Sequence, residues 1–209
     1  MKMTELVVAS KNPKKRAEMQ AILSDLPLSV LSIDEVCPQL ATPFESGTSF
    51  HENSALKALY FAAACGRLTV ADDSGLEVDA LAGAPGVYSS SYGGEEGNDA
   101  RNNATLMHNL RHVATKDRVA QFHCVITLAF AKQIVWVTEG ICRGMILHEP
   151  RGQSGFGYDP YFYFPDFGKT FAELTRDEKA RVSHRGIALT ALKAALPTLL
   201  SRFDQAEAF

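Results

Sequence analysis

Two apolar runs rich in β-branched residues, 118–131 and 133–146, follow each other almost without interruption. Only the tripeptide Ala131-Lys132-Gln133 separates their apolar parts. Runs of this composition predict strands, and two strands joined by so short a connection predict one long hairpin.

Strands alternate with helices in the part of the chain that precedes this hairpin. Strand-like runs occupy 5–10, 28–33 and 68–73, and helical patterns occupy 13–23, 48–66, 98–113 and 185–200. Residues 151–169 are rich in Gly, Pro and aromatic side chains, so we expect irregular structure there. Early alternation followed by a hairpin predicts an α/β protein with a mixed central β-sheet and flanking helices.

Helix-end signals support these assignments. Asn12 and Pro13 suit the N-cap and first position of a helix. Ser49 and Glu52 have capping-box spacing, and Gly66 stands where a C-terminal glycine belongs. Thr175 and Glu178 form a second capping box, and Ser183 is a predicted N-cap.

Composition sets the class of protein. The chain has 209 residues, 46% of them hydrophobic, which predicts a single domain over 1–209 with room for two lobes. A formal charge of −3 argues against binding nucleic acid by bulk electrostatics. No apolar stretch is long enough to predict a membrane span, and the short apolar run at the N-terminus does not predict a signal peptide. The four cysteines lack metal-ligand spacing, which predicts reduced thiols and a cytoplasmic protein.

Three cations, Lys14, Lys15 and Arg16, fall in the first turn of the helix that begins at Pro13. This is the unfavourable end of the helix dipole for positive charge. Either the cations form a solvated basic face, or a bound anion such as phosphate offsets the repulsion and uses the free backbone N–H groups.

Two acidic residues end the strand-like run at 68–73. Asp72 and Asp73 are adjacent, and Glu45 lies in the loop before the second helix. Hard cations such as Mg²⁺ prefer oxygen ligands, and a bound metal ion would offset the repulsion between the two adjacent carboxylates. The alternative is that one aspartate caps a turn into Ser74-Gly75. Neighbouring strand residues point to opposite faces, so we expect only one of the two to enter a site.

Further polar candidates lie on later elements. Asn53 and Lys57 share one helix face, where Lys57 is either solvated or reaches over the same pocket as the loop at 10–18. The stretch 154–165 combines glycines with aromatics, which suits either stacking on a base or a surface loop packed by its own rings. His184 and Arg185 again put cations at a helix N-terminus. Two such occurrences with an acidic cluster favour a polyanionic ligand.

These stretches together resemble the inosine triphosphate pyrophosphatase family, also called dITP/XTP pyrophosphatases. The resemblance rests on six segments in order, from residue 6 to about 192: SKNPKKRAE, FESGTSFHENSALKA, ADDSGLEVDAL, FHC, GFGYDP and KTFAELTRDEKARVSHRGIAL. It implies two lobes around a nucleotide-binding cleft, a homodimer, and Mg²⁺-dependent cleavage of ITP, dITP and XTP to monophosphate and pyrophosphate. Such cleavage keeps deaminated purines out of nucleic acids.

The resemblance also implies residue roles. Asp73 would be the catalytic carboxylate and, with Glu45, a metal ligand. The implied substrate-binding residues are Ser10, Lys11, Asn12, Pro13, Lys14, Lys15, Asn53, Lys57, Ser74, Phe156, Gly157, Tyr158, Asp159, Lys179, His184 and Arg185. Lys15, Lys57 and Lys179 would share the phosphate charge.

Base choice follows from hydrogen-bonding chemistry at the residues placed there by resemblance. Arg185 can only donate, which suits the 6-keto group of inosine and xanthosine. Ionised Asp159 can only accept, which suits their N1–H.

The sequence departs from the family pattern at Ser91, which stands where the family usually has arginine.

Two rival functions stay open at this point. One is a Maf-type nucleotide pyrophosphatase, which cleaves the same bond in other nucleotides. The other is a non-catalytic nucleotide sensor.

Overall fold

The computed structural model describes residues 4–206, and the side chains of residues 5–201. The strands are β1 (Thr4–Val8), β2 (Leu28–Ser32), β3 (Leu68–Val78), β4 (Val119–Phe130), β5 (Gln133–Ile146), β6 (Phe162–Phe164) and β7 (Lys169–Thr170). The α-helices are α1 (Pro13–Leu23), α2 (Ile33–Val36), α3 (Phe50–Cys65), α4 (Asp99–Asn109), α5 (Arg176–Val182) and α6 (His184–Ala206).

All seven strands form one sheet in the order β2-β1-β3-β4-β5-β6-β7. β1 pairs in parallel with β2 and β3, whereas β6 pairs antiparallel with β5 and β7. Helix α1 connects the parallel neighbours β1 and β2, which need a crossover. The segment containing α2 and α3 leads from β2 to β3, on the other side of β1. The predicted mixed sheet with flanking helices is confirmed.

Contacts between Cα atoms divide the chain into two compact units. The first unit comprises the described parts of Met1–Asp73, Val125–Glu139 and Gly186–Phe209. The second unit comprises Ser74–Cys124 and Gly140–Arg185. Strands β3, β4 and β5 contribute residues to both, and the boundary in β3 falls directly after Asp73.

Each unit has its own apolar core. In the first, small side chains such as Ala58, Ala62 and Ala71 let α3 pack closely on the sheet, with Phe61 filling the remaining space. In the second, the rings of Phe122, Phe162 and Phe171 pack at centroid distances of 4.6–5.7 Å. Aromatic pairs at this spacing add to the stabilisation from burial.

The local helix signals are largely confirmed. Asn12 caps α1, Pro13 opens it, and Gly66 ends α3 in the left-handed conformation with φ +63°. Thr175 and Glu178 form the predicted capping box. At α3, Ser49 Oγ accepts from Glu52 N at 3.2 Å as expected, and the Glu52 carboxylate also accepts from Thr48 N at 2.6 Å.

Three segment predictions are corrected. β3 continues to Val78, so Asp72 and Asp73 lie inside a strand rather than at its end or at a turn. The stretch 151–169 contains β6, because its aromatic residues pair with the end of β5. α6 extends beyond residue 200, which places Pro197 in its interior.

None of the four cysteines, all of which lie in the described part of the chain, forms a disulfide. None of the described helices is both long enough and apolar enough to cross a lipid bilayer.

Candidate functional site

The N-terminus of α1 is closed by its own cap. Asn12 Oδ1 accepts from the backbone N–H of Lys14 at 2.9 Å and of Lys15 at 3.2 Å. The cap therefore satisfies these two N–H groups, and their use by a phosphate stays a prediction. Asn12 N itself donates to Ser10 Oγ at 3.3 Å, which tightens the turn into the helix.

The cations of this turn have partners within the first unit. Lys15 Nζ lies 3.0 Å from Asp72 Oδ2, and Arg16 Nη1 lies 2.6 Å from Asp34 Oδ2. Lys11 Nζ donates to the carbonyl of Leu40 at 2.9 Å. Carboxylates of the protein thus offset part of the unfavourable charge at this helix end, and Lys14 is exposed.

Each aspartate of the adjacent pair has its own lysine. Asp72 takes Lys15 from α1, and Asp73 takes Lys57 from α3 at 2.7 Å. Both carboxylates are buried, at 2% and 7% exposure. Because the two lysines come from different helices, the like charges in one strand are each neutralised separately.

Lys57 also reaches Glu45, whose Oε2 accepts from Nζ at 2.8 Å. Glu45 and Asp73 therefore converge on one ammonium group. The side chain of Glu45 is the more exposed of the two, at 37% against 10%. Lys57 is buried, so the solvated alternative is wrong, and its reach over the pocket of the loop at 10–18 stays a prediction.

The carboxyl of Asp73 has a raised pKa. Burial raises the pKa of Asp73 to about 6, although the charges of Lys57 and Lys15 lower it. Burial alone would lower the pKa of Lys57, but the charges of Asp73, Glu45 and Asp72 outweigh it and raise that pKa. At neutral pH Lys57 keeps its proton and Asp73 can accept one, which is the property of a general base.

Asn53 holds the loop that carries Glu45. Its side chain is buried, and Oδ1 accepts from Gly47 N at 2.8 Å. A Cβ atom at Gly47 would lie 2.6 Å from Asn53 Oδ1, so only glycine permits this approach. Contact of Asn53 with a substrate stays a prediction, while its contact with this loop is established.

In the second unit, hydrogen bonds to the Asp159 side chain hold the loop 154–159. Asp159 Oδ2 accepts from Phe156 N at 2.9 Å and from Lys179 Nζ at 2.6 Å. Gly155 has φ +81°, and a Cβ there would meet the Asp159 carboxylate. This oxygen of Asp159 is thus committed to the loop and to Lys179, and base reading by Asp159 stays a prediction.

Two cations lie over the ring of Phe156. Lys179 Nζ is 4.8 Å and Arg185 Cζ is 5.9 Å from its centroid. Arg185 is buried and donates to Ser74 Oγ at 2.8 Å. The structure therefore brings together four predicted residues, Ser74, Phe156, Lys179 and Arg185, in the second unit.

Tyr158 and His184 are held by the interior of this unit. The hydroxyl of Tyr158 donates to the carbonyl of Ser89 at 2.8 Å, and burial raises its pKa. The ring of His184 stacks on Phe122 with centroids 4.7 Å apart. Both side chains are nearly inaccessible, at 4% and 5% exposure.

Residues that sequence reasoning missed lie on α4. Asp99 Oδ2 accepts from Gly157 N at 2.8 Å, and Asn103 Nδ2 donates to Gly157 O at 2.9 Å. The sequence shows only a polar helix start here, with no sign of a contact more than 50 residues away. Ser91, at the position of the family arginine, donates its backbone N–H to Tyr88 O within a turn.

The carboxylates can be tested against a metal. Among the described residues, no group of three or more His, Cys, Asp or Glu side chains could hold a metal by itself. Glu45 and Asp73 nevertheless converge on one cation, the Lys57 ammonium. Two carboxylates that share their remaining positions with substrate phosphates are the usual ligands of Mg²⁺, so the donor set fits that ion.

Comparisons with known proteins agree over nearly the whole chain. The family model described as the Ham1 family matches residues 6–195. The dITP/XTP pyrophosphatase of Desulfotalea psychrophila is 46% identical over 200 residues, covering 96% of this chain and 88% of the relative. A Thermus thermophilus protein of the same name is 47% identical over 188 residues, covering 90% and 89%.

Solved structures show the same fold. A HAM1 protein from Coxiella burnetii superposes with a TM-score of 0.86 at 41% identity, covering 94% of this chain and 100% of its own. The Ham1 protein of Staphylococcus aureus gives 0.83 at 39% identity, covering 93% and 99%.

Proposed function

The chain belongs to the Ham1 family, and from that premise we propose that it hydrolyses deaminated purine nucleoside triphosphates to the monophosphate and pyrophosphate. Curated relatives from several bacteria carry the name dITP/XTP pyrophosphatase. The expected substrates are ITP, dITP and XTP. Their removal keeps deaminated purines out of nucleic acids.

The observation that carries this proposal is the Glu45–Lys57–Asp73 group. A buried carboxylate with a pKa of about 6 is suited to take a proton from water near neutral pH. We assign Asp73 as that base, with water attacking the α-phosphorus and pyrophosphate leaving. Lys57 and Lys15 are held by Asp73 and Asp72, so their charge is positioned before substrate arrives.

Glu45 and Asp73 would also hold Mg²⁺. The ion would neutralise charge on the phosphate oxygens. Lys57 lies between the two carboxylates, and it keeps them from repelling each other in the absence of the ion.

The second unit supports base recognition. Phe156 offers a half-buried ring for stacking, and Arg185 offers N–H groups that suit a 6-keto oxygen. Since adenine presents a 6-amino group instead, ATP should be the poorer substrate. We further propose a cytoplasmic homodimer, which the reduced cysteines and the family suit.

The test is a panel of nucleoside triphosphates with pyrophosphate and orthophosphate measured separately, with and without Mg²⁺. We expect pyrophosphate from ITP, dITP and XTP only when Mg²⁺ or a similar ion is present. Orthophosphate as the first product would refute the bond assignment. Preference for other nucleotides would favour the Maf-type alternative, and binding without turnover would favour the sensor.

A further inference from the structure

Helix α4 holds both backbone polar groups of one loop residue, Gly157. Asp99 Oδ2 accepts from its N–H at 2.8 Å, and Asn103 Nδ2 donates to its carbonyl at 2.9 Å. The two side chains stand one turn apart on α4, so a single helix face holds the two peptide groups that flank the Cα of Gly157.

These bonds fix the backbone on either side of Phe156. The peptide before Phe156 is held by Asp159 Oδ2, which accepts from Phe156 N at 2.9 Å. The peptide after it is held by Asp99, which accepts from Gly157 N. With both flanking peptide planes held, the backbone dihedrals of Phe156 have little freedom, and only its side-chain rotamer can vary.

The side-chain amide of Asn103 acts as a hydrogen-bond donor. Its Nδ2 donates to Asp99 O at 2.8 Å as well as to Gly157 O. Its Oδ1 is buried, with no hydrogen-bond partner within the described part of the chain. An unsatisfied buried acceptor costs stability. The side chain is thus held in an orientation that serves the loop at some cost to the fold.

We propose that Asp99 and Asn103 are positioning residues for the nucleotide base, acting through Gly157 to hold the ring of Phe156 in its stacking position. The inference rests on the proposed function, because it takes Phe156 as the residue that stacks on a deaminated purine. Neither side chain needs to touch the nucleotide.

The experiment compares Asp99→Ala and Asn103→Leu with the wild-type full chain. Affinity for inosine monophosphate is measured by calorimetry, ITP turnover by pyrophosphate release, and inhibition by inorganic tripolyphosphate as a probe without a base. Base contacts are made in the ground state and the transition state alike, so their loss raises KM and leaves kcat. We expect KM for ITP and Kd for inosine monophosphate to rise about tenfold, with kcat and tripolyphosphate inhibition within about threefold.

Two further variants separate positioning from stability. Asp99→Asn keeps an acceptor oxygen and should stay within about threefold of wild-type affinity. Asn98→Ala removes the N-cap of the same helix, which accepts from Arg101 N at 3.1 Å, but leaves the Gly157 contacts intact. It should lower Tm without changing nucleotide affinity. If Asp99→Ala fails to fold, Asn103→Leu decides, because leucine keeps the shape and removes the unpaired Oδ1.

Unchanged affinity for inosine monophosphate in Asn103→Leu would overturn the inference. The inference would also fail if Asn98→Ala weakened the binding of inosine monophosphate as much as Asn103→Leu does. It would fail as well if Asn103→Leu reduced inhibition by tripolyphosphate as much as it reduced the binding of inosine monophosphate. Wild-type protein that binds inosine monophosphate but releases no pyrophosphate from ITP would instead refute the proposed function and leave this inference standing on the calorimetry.

Discussion

Lys57 donates to Asp73 across 2.7 Å, with the side chains of both residues about nine-tenths buried. Glu45 accepts from the same ammonium at 2.8 Å. One lysine therefore holds two carboxylates that would otherwise repel each other.

Asp73→Asn should reduce kcat by roughly 10²–10⁴-fold, because asparagine keeps the shape but cannot accept a proton from water. Steady-state pyrophosphate release from ITP measures this. The matched variant is Asp72→Asn, which changes the neighbouring carboxylate that binds Lys15. A larger loss of kcat in Asp72→Asn than in Asp73→Asn would move the base to Asp72.

The acid limb of kcat/KM should report Asp73. Its pKa is about 6, so below that pH the carboxyl is protonated and cannot act as base. We expect activity to fall on the acid side of pH 6, and the residual activity of Asp73→Asn to lack this limb. A limb that persists in Asp73→Asn would assign it to another group.

The same pKa shift predicts a stability difference. The folded pKa of about 6 lies above the ordinary value of 3.8, so the folded state binds this proton more tightly than the unfolded state. Stability of the wild type relative to Asp73→Asn should therefore increase as the pH falls from 7 to 4. Urea unfolding of both proteins across that range measures it, and a change of the opposite sign would show that the ion pair with Lys57 dominates.

Lys57→Gln should shift the acid limb to higher pH. Without the ammonium, Glu45 and Asp73 face each other in a buried site, which disfavours the charged form of Asp73. The pH profile of kcat/KM for this variant, compared with wild type, is the measurement. A limb that stays at the wild-type position would mean that Lys57 does not govern the titration of Asp73.

Arg185→Ala should lower kcat/KM for ITP by about 10–100-fold and change that for ATP by less than about threefold, because only the 6-keto group accepts from a guanidinium. The control is Arg181→Ala, an exposed arginine of α5. An equal loss for ITP and ATP would make Arg185 a phosphate-binding or structural residue, in keeping with its bond to Ser74.

The elements governed by near neighbours were predictable from the sequence. The helix at 13–23 has its predicted bounds because Asn12 and Pro13 set its start through local bonds and a fixed φ. The long hairpin follows from a short connection between two β-branched runs. The same local logic misled at Asp72 and Asp73, where like charges suggested a strand end although β3 continues to Val78.

Only the tertiary structure decided which groups meet. Asp72 and Asp73 can both stay in a buried strand because Lys15 and Lys57 reach them from two different helices. The bond from Gly157 to Asp99 joins residues 58 positions apart. Such pairings depend on the order of the strands and on how the helices pack against the sheet. Short-range steric and hydrogen-bonding preferences therefore do not predict them. The sequence by itself determined the elements and the chemical groups available, and the packing of those elements determined which charges neutralise one another.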